Sequence, residues 1–217
     1  LEGFREQDTR PEDFWTAPGQ AVKVPMMHQT VANSVAEYAE SDDCQLLVLP
    51  CTAFSRLALA VVLPKKRDKL ADLERSMTEA RLKSLIASAW TPAVQLSLPR
   101  FTIQSDLEMK PILEALGIHR AFQEQADFSG VSDRRPLWLS AVFHKGFVAV
   151  NEKGIEAAAA AGGEGPLDGH ENLVTFRADH PFIFMILHYK APKSMKYAKG
   201  TGQLFFLGRF VEPKDSR

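Results

Sequence analysis

Short apolar runs, several alternating with polar residues, recur along the chain: "VKVPMM" at 22–27, "QLLVLP" at 45–50, "LALAVVLP" at 57–64 and "AVQLSLPRFTI" at 93–103. Their length and β-branching predict strands. In the last, Val94, Leu96 and Leu98 alternate with Gln95 and Ser97, so one face is expected to be buried and the other wet. The C-terminal third repeats the pattern in "LWLSAVFHKGFVAVNE" at 137–152, "LVTFRA" at 173–178, "PFIFMILH" at 181–188 and "QLFFLGRFV" at 203–211. In "FIFMIL" both alternating faces are apolar, which predicts a strand buried on both sides.

The period changes in "KLADLERSMTEARLKSLIAS" at 69–88, where Leu70, Leu73, Met77, Leu82, Leu85 and Ile86 recur at helical spacing. Two short helices or one bent helix fit equally. In "SDLEMKPILEALGI" at 105–118, Ser105 and Glu108 have the spacing of a capping box and Gly117 closes the C-terminus. Pro111 would cost about 3 kcal/mol inside a helix, so the start is expected near Lys110 with Pro111 in the first turn. Few, short helices among many strands predict an α+β architecture dominated by antiparallel sheet.

Lys plus Arg number 26 and Asp plus Glu 27, so no charge excess calls for nucleic acid or an anionic membrane as partner. Cys44 and Cys51 flank one predicted strand; its six-residue spacer, at about 3.3 Å per residue, holds them roughly 20 Å apart, and free or buried thiols are expected. The sequence has no run of 18 apolar residues, no basic-apolar leader and no Asn-x-Ser/Thr acceptor. No membrane span is expected. The chain opens at Leu1 without an initiator methionine, as a processed or truncated piece of something longer would.

"NEKGIEAAAAAGGEGPLDGHEN" at 151–172 fits none of these elements. Its alanines favour a helix, but the run is too short to stand alone and glycines and Pro166 stop it. A linker is as natural a reading. At period two, Ile155, Ala157, Ala159 and Ala161 share one small apolar face, while Glu156 and Glu164 end the other. That third pattern describes a strand able to slide into a sheet.

"HKGFVAVNEKGIEAAAAA", "ADFSG", "VKVPMM", "LPRF", "LEALGI" and "ADHPFIFMI" followed by "LFFLGRFVEP" resemble the C-terminal half of the serpins, from about Phe14 to Pro213. The resemblance implies that residues 1–217 are the C-terminal part of a single serpin domain, the helical N-terminal part being absent, with a reactive loop at about 153–172. It implies an inhibitor rather than an enzyme, needing no cofactor or metal. A serine or cysteine protease would cleave the loop, remain acylated through its own nucleophile, and be carried roughly 40 Å, at about 3.3 Å per residue, as the loop enters a sheet. The pull would distort the protease's triad and oxyanion hole and stall deacylation. A monomer when complete is implied, in an extracellular setting, with an intracellular one as the alternative.

By family spacing, Glu152 opens the hinge, Gly154 lets it bend, and Ile155, Glu156, Ala157, Ala158, Ala159 and Ala160 follow as the inserting stretch. Counting onward puts the scissile bond at Asp168–Gly169; a one-residue gap would make Leu167 the specificity residue instead. Aspartate points to proteases that cleave after aspartate, leucine to chymotrypsin-like or subtilisin-like ones. Arg100 and Glu152 stand where serpins keep a basic-acidic pair near the top of the sheet, or form an ordinary surface ion pair. His144 stands where the family has a histidine beside the sheet opening, or is an ordinary strand histidine.

Two departures favour a non-inhibitory alternative, a binding, storage or chaperone-like serpin. Ile155 occupies a position where the family has Thr or Ser, and Gly162, Gly163 and Gly165 weaken a strand by about 0.5–1 kcal/mol each. The family's partner strand across the insertion gap is also absent, so the isolated chain is expected to be inactive. Other constellations fail on chemistry. "DGHE" at 168–171 is a solvated loop, "GGEG" lacks the Lys-Ser/Thr of a phosphate loop, and Ser129 lacks the elbow that would make a triad with His119 and Asp127.

Overall fold

The apolar and alternating runs become strands of a four-stranded, a five-stranded and a two-stranded sheet, with the helical-period segment packed on the five-stranded one. The computed structural model describes residues 4–32, 35–51, 57–132, 136–153, 173–188 and 203–213. The chain separates into two compact units, one of residues 1–101 and 150–217, the other of residues 102–149.

In the larger unit, β1 (Arg10–Ala17), β2 (Gln20–Val31), β6 (Ala93–Pro99) and β9 (Leu173–Arg177) form a four-stranded sheet in that order. All its pairings are antiparallel except that of β9 with β6. The second sheet runs β11 (Leu204–Phe210), β10 (Phe182–His188), β5 (Leu57–Pro64), β4 (Cys44–Pro50), β3 (Glu37–Glu40), antiparallel throughout. Cys44 begins β4 and Cys51 follows its last residue, so the two free thiols stand at opposite ends of the strand.

Register Leu46↔Val62 and Ala60↔Met185 aligns one face of the central strands. Leu46, Val48, Ala60, Val62, Ile183 and Met185 there form a single cluster with Leu70, Leu73 and Leu85. These last come from two separate helices, α1 (Leu70–Ser76) and α2 (Glu79–Ala87). The break falls at Thr78, whose side chain accepts the Arg81 N–H and caps α2. On the opposite face Leu47, Leu49, Val61, Phe182 and Phe184 are equally buried, so β10 has apolar cover on both sides, as "FIFMIL" predicts. Each such side chain contributes about 1.5–3 kcal/mol. Phe101 gathers Phe182, Phe184 and Phe210 at centroid distances of 5.9, 5.5 and 4.8 Å. The Phe184 ring lies so close over Gly208 that a Cβ there would stand 2.5 Å from its edge.

The smaller unit holds most of β7 (Phe101–Glu108) and β8 (Phe143–Val150), paired with each other, and α3 (Lys110–Ala115). The helix starts at Lys110 with Pro111 in its first turn. The capping box is a correction: Ser105 and Glu108 belong to β7, and Met109 at the N-cap makes no side-chain bond. The extended conformation favoured by Thr102 and Ile103 runs on through the polar residues. Gly117 ends the helix at φ +91°, its N–H bonding Glu114 O while the Ile118 N–H reaches Leu113 O.

Three further readings change. The strand expected over 137–152 begins only at Phe143, with the Leu139 N–H held by Ala121 O. β1 and β3 arise where no strand is expected. Ser97, placed by alternation on the wet face, is 6% exposed because its hydroxyl pairs with the His28 ring. No helix among the described residues is long and apolar enough to cross a membrane.

Candidate functional site

The segment with the small-residue run, residues 154–172, lies outside the described residues, and with it Gly154, Ile155, Glu156, Ala157, Ala158, Ala159, Ala160, Leu167, Asp168 and Gly169. What the structure defines is the pair of anchors that flank it.

The leading anchor is Glu152, two residues beyond the end of β8. It is 4% exposed, and a buried carboxylate must be paired. The Thr9 hydroxyl donates to its Oε1 at 2.7 Å, and Arg100 Nη1 stands 3.5 Å from the same oxygen. Burial alone pushes this carboxyl up, but the Thr9 bond, the backbone and the Arg100 charge outweigh it and hold it below the usual range. Arg100 is aimed there by its own backbone: its N–H bonds Pro25 O where β2 and β6 part. The basic-acidic pair is thus present, but long, with a half-exposed guanidinium. Thr9, which no sequence signal indicated, makes the shorter bond. Beyond Glu152 the Lys153 N–H folds back on Asn151 Oδ1 at 2.9 Å, an Asx turn that ends the strand direction.

His144 is exposed on β8, as are Phe143 and Phe147. Among the described residues β8 pairs only with β7.

The trailing anchor is denser. Phe176 in β9 is fully buried, and the Ala178 N–H continues the strand onto Ser97 O at 2.9 Å. Arg177 Nη2 meets Glu12 Oε2 at 2.6 Å, and its Nε lies 3.4 Å from Asp179 Oδ2. Asp179, 7% exposed, also takes Arg67 at 2.9 Å and His180 Nδ1 at 2.7 Å. Burial would raise its carboxyl, but His180 and Arg67 hold it low. His180 Nε2 reaches Pro64 O at 2.7 Å, so both ring nitrogens face acceptors. Arg67 lies 4.5 Å over the Trp15 ring. This network joins β1, the β5–α1 connection, β9 and the start of β10. Its sequence signal was the charged residues of "RADH" beside an apolar run, which periodicity alone does not pair with Glu12.

Among the described residues no cluster of three His, Cys, Asp or Glu side chains could hold a metal ion. Asp127 and Ser129 are neighbours in a turn, the carboxylate accepting the Ser129 backbone N–H at 3.1 Å. That is local turn chemistry.

Comparison with known proteins agrees with this architecture. The family described as "Serpin (serine protease inhibitor)" matches residues 1–213. An uncharacterized serpin-like protein of Thermococcus kodakarensis is 37% identical over 216 residues, covering 98% of this chain and 46% of that protein. Serpin B10 of Bos taurus is 41% identical over 165 residues, 72% of this chain and 38% of its own length. Among solved structures, human thyroxine-binding globulin superposes with a TM-score of 0.76 at 26% identity, over 99% of this chain and 53% of that one. The chain spans about half the length of the relatives it matches. With this sheet topology, the short helices and a family match over nearly every residue, the chain belongs to the serpin family.

Proposed function

We propose that these 217 residues are the C-terminal part of a single serpin domain whose full-length protein inhibits serine or cysteine proteases by covalent trapping with loop insertion. The observation that carries the reading is Glu152. It is a buried, doubly held carboxylate placed directly before "KGIEAAAAA", in a chain matched over residues 1–213 by a family of protease inhibitors. A fixed point followed by small residues is what an inserting strand needs, because the pull must start from something that does not move.

In this reading Gly154 to Ala160 form the hinge and Asp168–Gly169 the scissile bond, with Leu167 as the alternative specificity residue. Arg100 and His144 belong to the region where the sheet admits the loop. The working form is a monomeric, secreted protein, its partner the target protease rather than nucleic acid or membrane. The isolated chain is inactive, because the strand that would face β8 across the gap is not in it.

The test mixes the native gene product with an aspartate-directed protease and a chymotrypsin-like protease and resolves the products on a denaturing gel. A band at the summed mass that survives boiling supports trapping, and the responding enzyme chooses between Asp168 and Leu167. Clean cleavage without that band would mean a substrate, either a fragment without the sheet it needs or a non-inhibitory binding or storage serpin, the second reading that Ile155 and the glycines at 162, 163 and 165 keep open.

A further inference from the structure

The Glu12 carboxylate holds one arginine on each oxygen and has a histidine ring beside it. Arg10 Nε takes its Oε1 at 2.6 Å and Arg177 Nη2 its Oε2 at 2.6 Å. His28 Nε2 stands 3.0 Å from Oε1, yet this buried nitrogen completes no hydrogen-bond geometry. The other ring nitrogen, Nδ1, is 3.1 Å from Ser97 Oγ. A carboxylate only accepts, so the neutral ring carries its proton on Nε2 and receives the Ser97 hydroxyl at Nδ1. The ring is near Glu12 but not bound to it.

Only Arg177 among these groups belongs to β9. That strand has five residues and pairs along β6. Its carboxyl end is held by Arg177, by the buried Phe176 and by the Ala178 bond to Ser97 O. Ser97 therefore carries both the bond to β9 and the partner of His28.

We propose that β9 is fastened by a protonation-sensitive latch, in which a charged His28 shares Glu12 with Arg177, weakens the hold of Arg177 on that carboxylate and loosens β9 from β6. A second proton on the ring turns the 3.0 Å approach to Oε1 into an ion pair and places three cations around one carboxylate. It also forces the Ser97 hydroxyl from donor to acceptor. Arg177 is then left with Asp179 at 3.4 Å, whose oxygens are already taken by Arg67 and His180.

The charged groups facing His28 are Arg10 and Glu12 from β1 and Arg177 from β9, with Asp8 lining the same cleft. Burial lowers the proton affinity of His28, Glu12 raises it, and Arg10 and Arg177 lower it further, leaving it below the ordinary histidine value. A base held low in the folded state gives stability that is complete above the ordinary histidine range and is lost as pH falls through it. Glu12 stays ionised meanwhile. Burial would raise its carboxyl, but Arg10, His28 and Arg177 keep it low.

Hydrogen exchange of the native gene product, read at residues 173–178 from about pH 8 to about pH 5 and corrected for intrinsic rates, tests the latch. Residues 46–49 in β4 serve as the internal control. Protection at 173–178 should fall below about pH 6.5, by at most about tenfold per pH unit for one coupled proton, while 46–49 hold theirs. His28→Gln should flatten the profile. Glu12→Gln should lower protection already at neutral pH. An undiminished fall in His28→Gln, no fall in the native protein, or a fall shared by 46–49 overturns the proposal. No protease is present, so the result is independent of whether the segment preceding β9 is a reactive loop.

Discussion

β10 and β8 are both apolar strands near the C-terminal third, yet they have opposite surroundings. β10 lies between β5 and β11, and Phe182, Ile183, Phe184 and Met185 are buried to 8% exposure or less. β8 has one neighbour among the described residues, and its Phe143 and Phe147 are 71% and 63% exposed. A two-stranded sheet is marginal in water, and exposed rings of this size mark a surface that expects cover. The difference separates what this chain stabilises by itself from what it presents.

The largest expected effect breaks the comparison directly. Phe182→Ala removes a ring from the cluster around Phe101 and Phe210 and should cost about 3–5 kcal/mol in urea unfolding. Phe147→Ala in the same 217-residue chain should change stability by less than about 0.5 kcal/mol. A cost at Phe147 that rises toward the Phe182 value in a longer gene product would show that chain outside these residues covers β8.

A smaller effect concerns polar anchoring of the closed region. Asp179→Asn removes the charge shared by His180, Arg67 and Arg177 and should cost about 2–3 kcal/mol at neutral pH. Because Asp179 titrates below its ordinary value, the stability it gives is present above the ordinary aspartate range and is lost as pH falls through its folded value. Unfolding curves of native and variant protein should therefore converge on acidification. A deficit that persists unchanged in acid would mean that the loss is one of packing.

The strands buried on both faces were legible because such burial writes itself as a short, nearly continuous apolar run, as in β4, β5 and β10. β1 and β3 were not: "RPEDFWTA" and "EYAE" carry mostly charged or half-buried side chains, so no periodicity announces them. Ser97 misled for the converse reason, since alternation marks a polar residue as wet while a histidine on the neighbouring strand can satisfy it in the interior. Of the site, Glu152 and Arg100 came from family resemblance. Thr9 and Glu12 are brought to their partners across 143 and 165 residues of sequence, a separation that no local pattern encodes.

Thr9→Val should cost about 1 kcal/mol, the worth of one hydrogen bond to a buried group, and should raise the Glu152 titration toward its ordinary value, seen by carboxyl NMR. An unmoved titration would show that Arg100 and the backbone suffice to hold Glu152.

The smallest effect is the sharpest for function. Arg100 is half exposed and 3.5 Å from Glu152, so Arg100→Gln should cost less than about 1 kcal/mol, and high salt should lower the native protein's stability by no more than that. Under the proposed function, if Arg100 only decorates the surface, the rate of protease trapping by the native gene product should be equally indifferent. If instead it steadies the residue that precedes the proposed inserting segment, stability should hardly move while the partition between trapped and cleaved protein shifts toward cleavage. Stability and the proposed trapping would then separate at one residue, because an ion pair too weak to hold the fold can still bias how Glu152 is held.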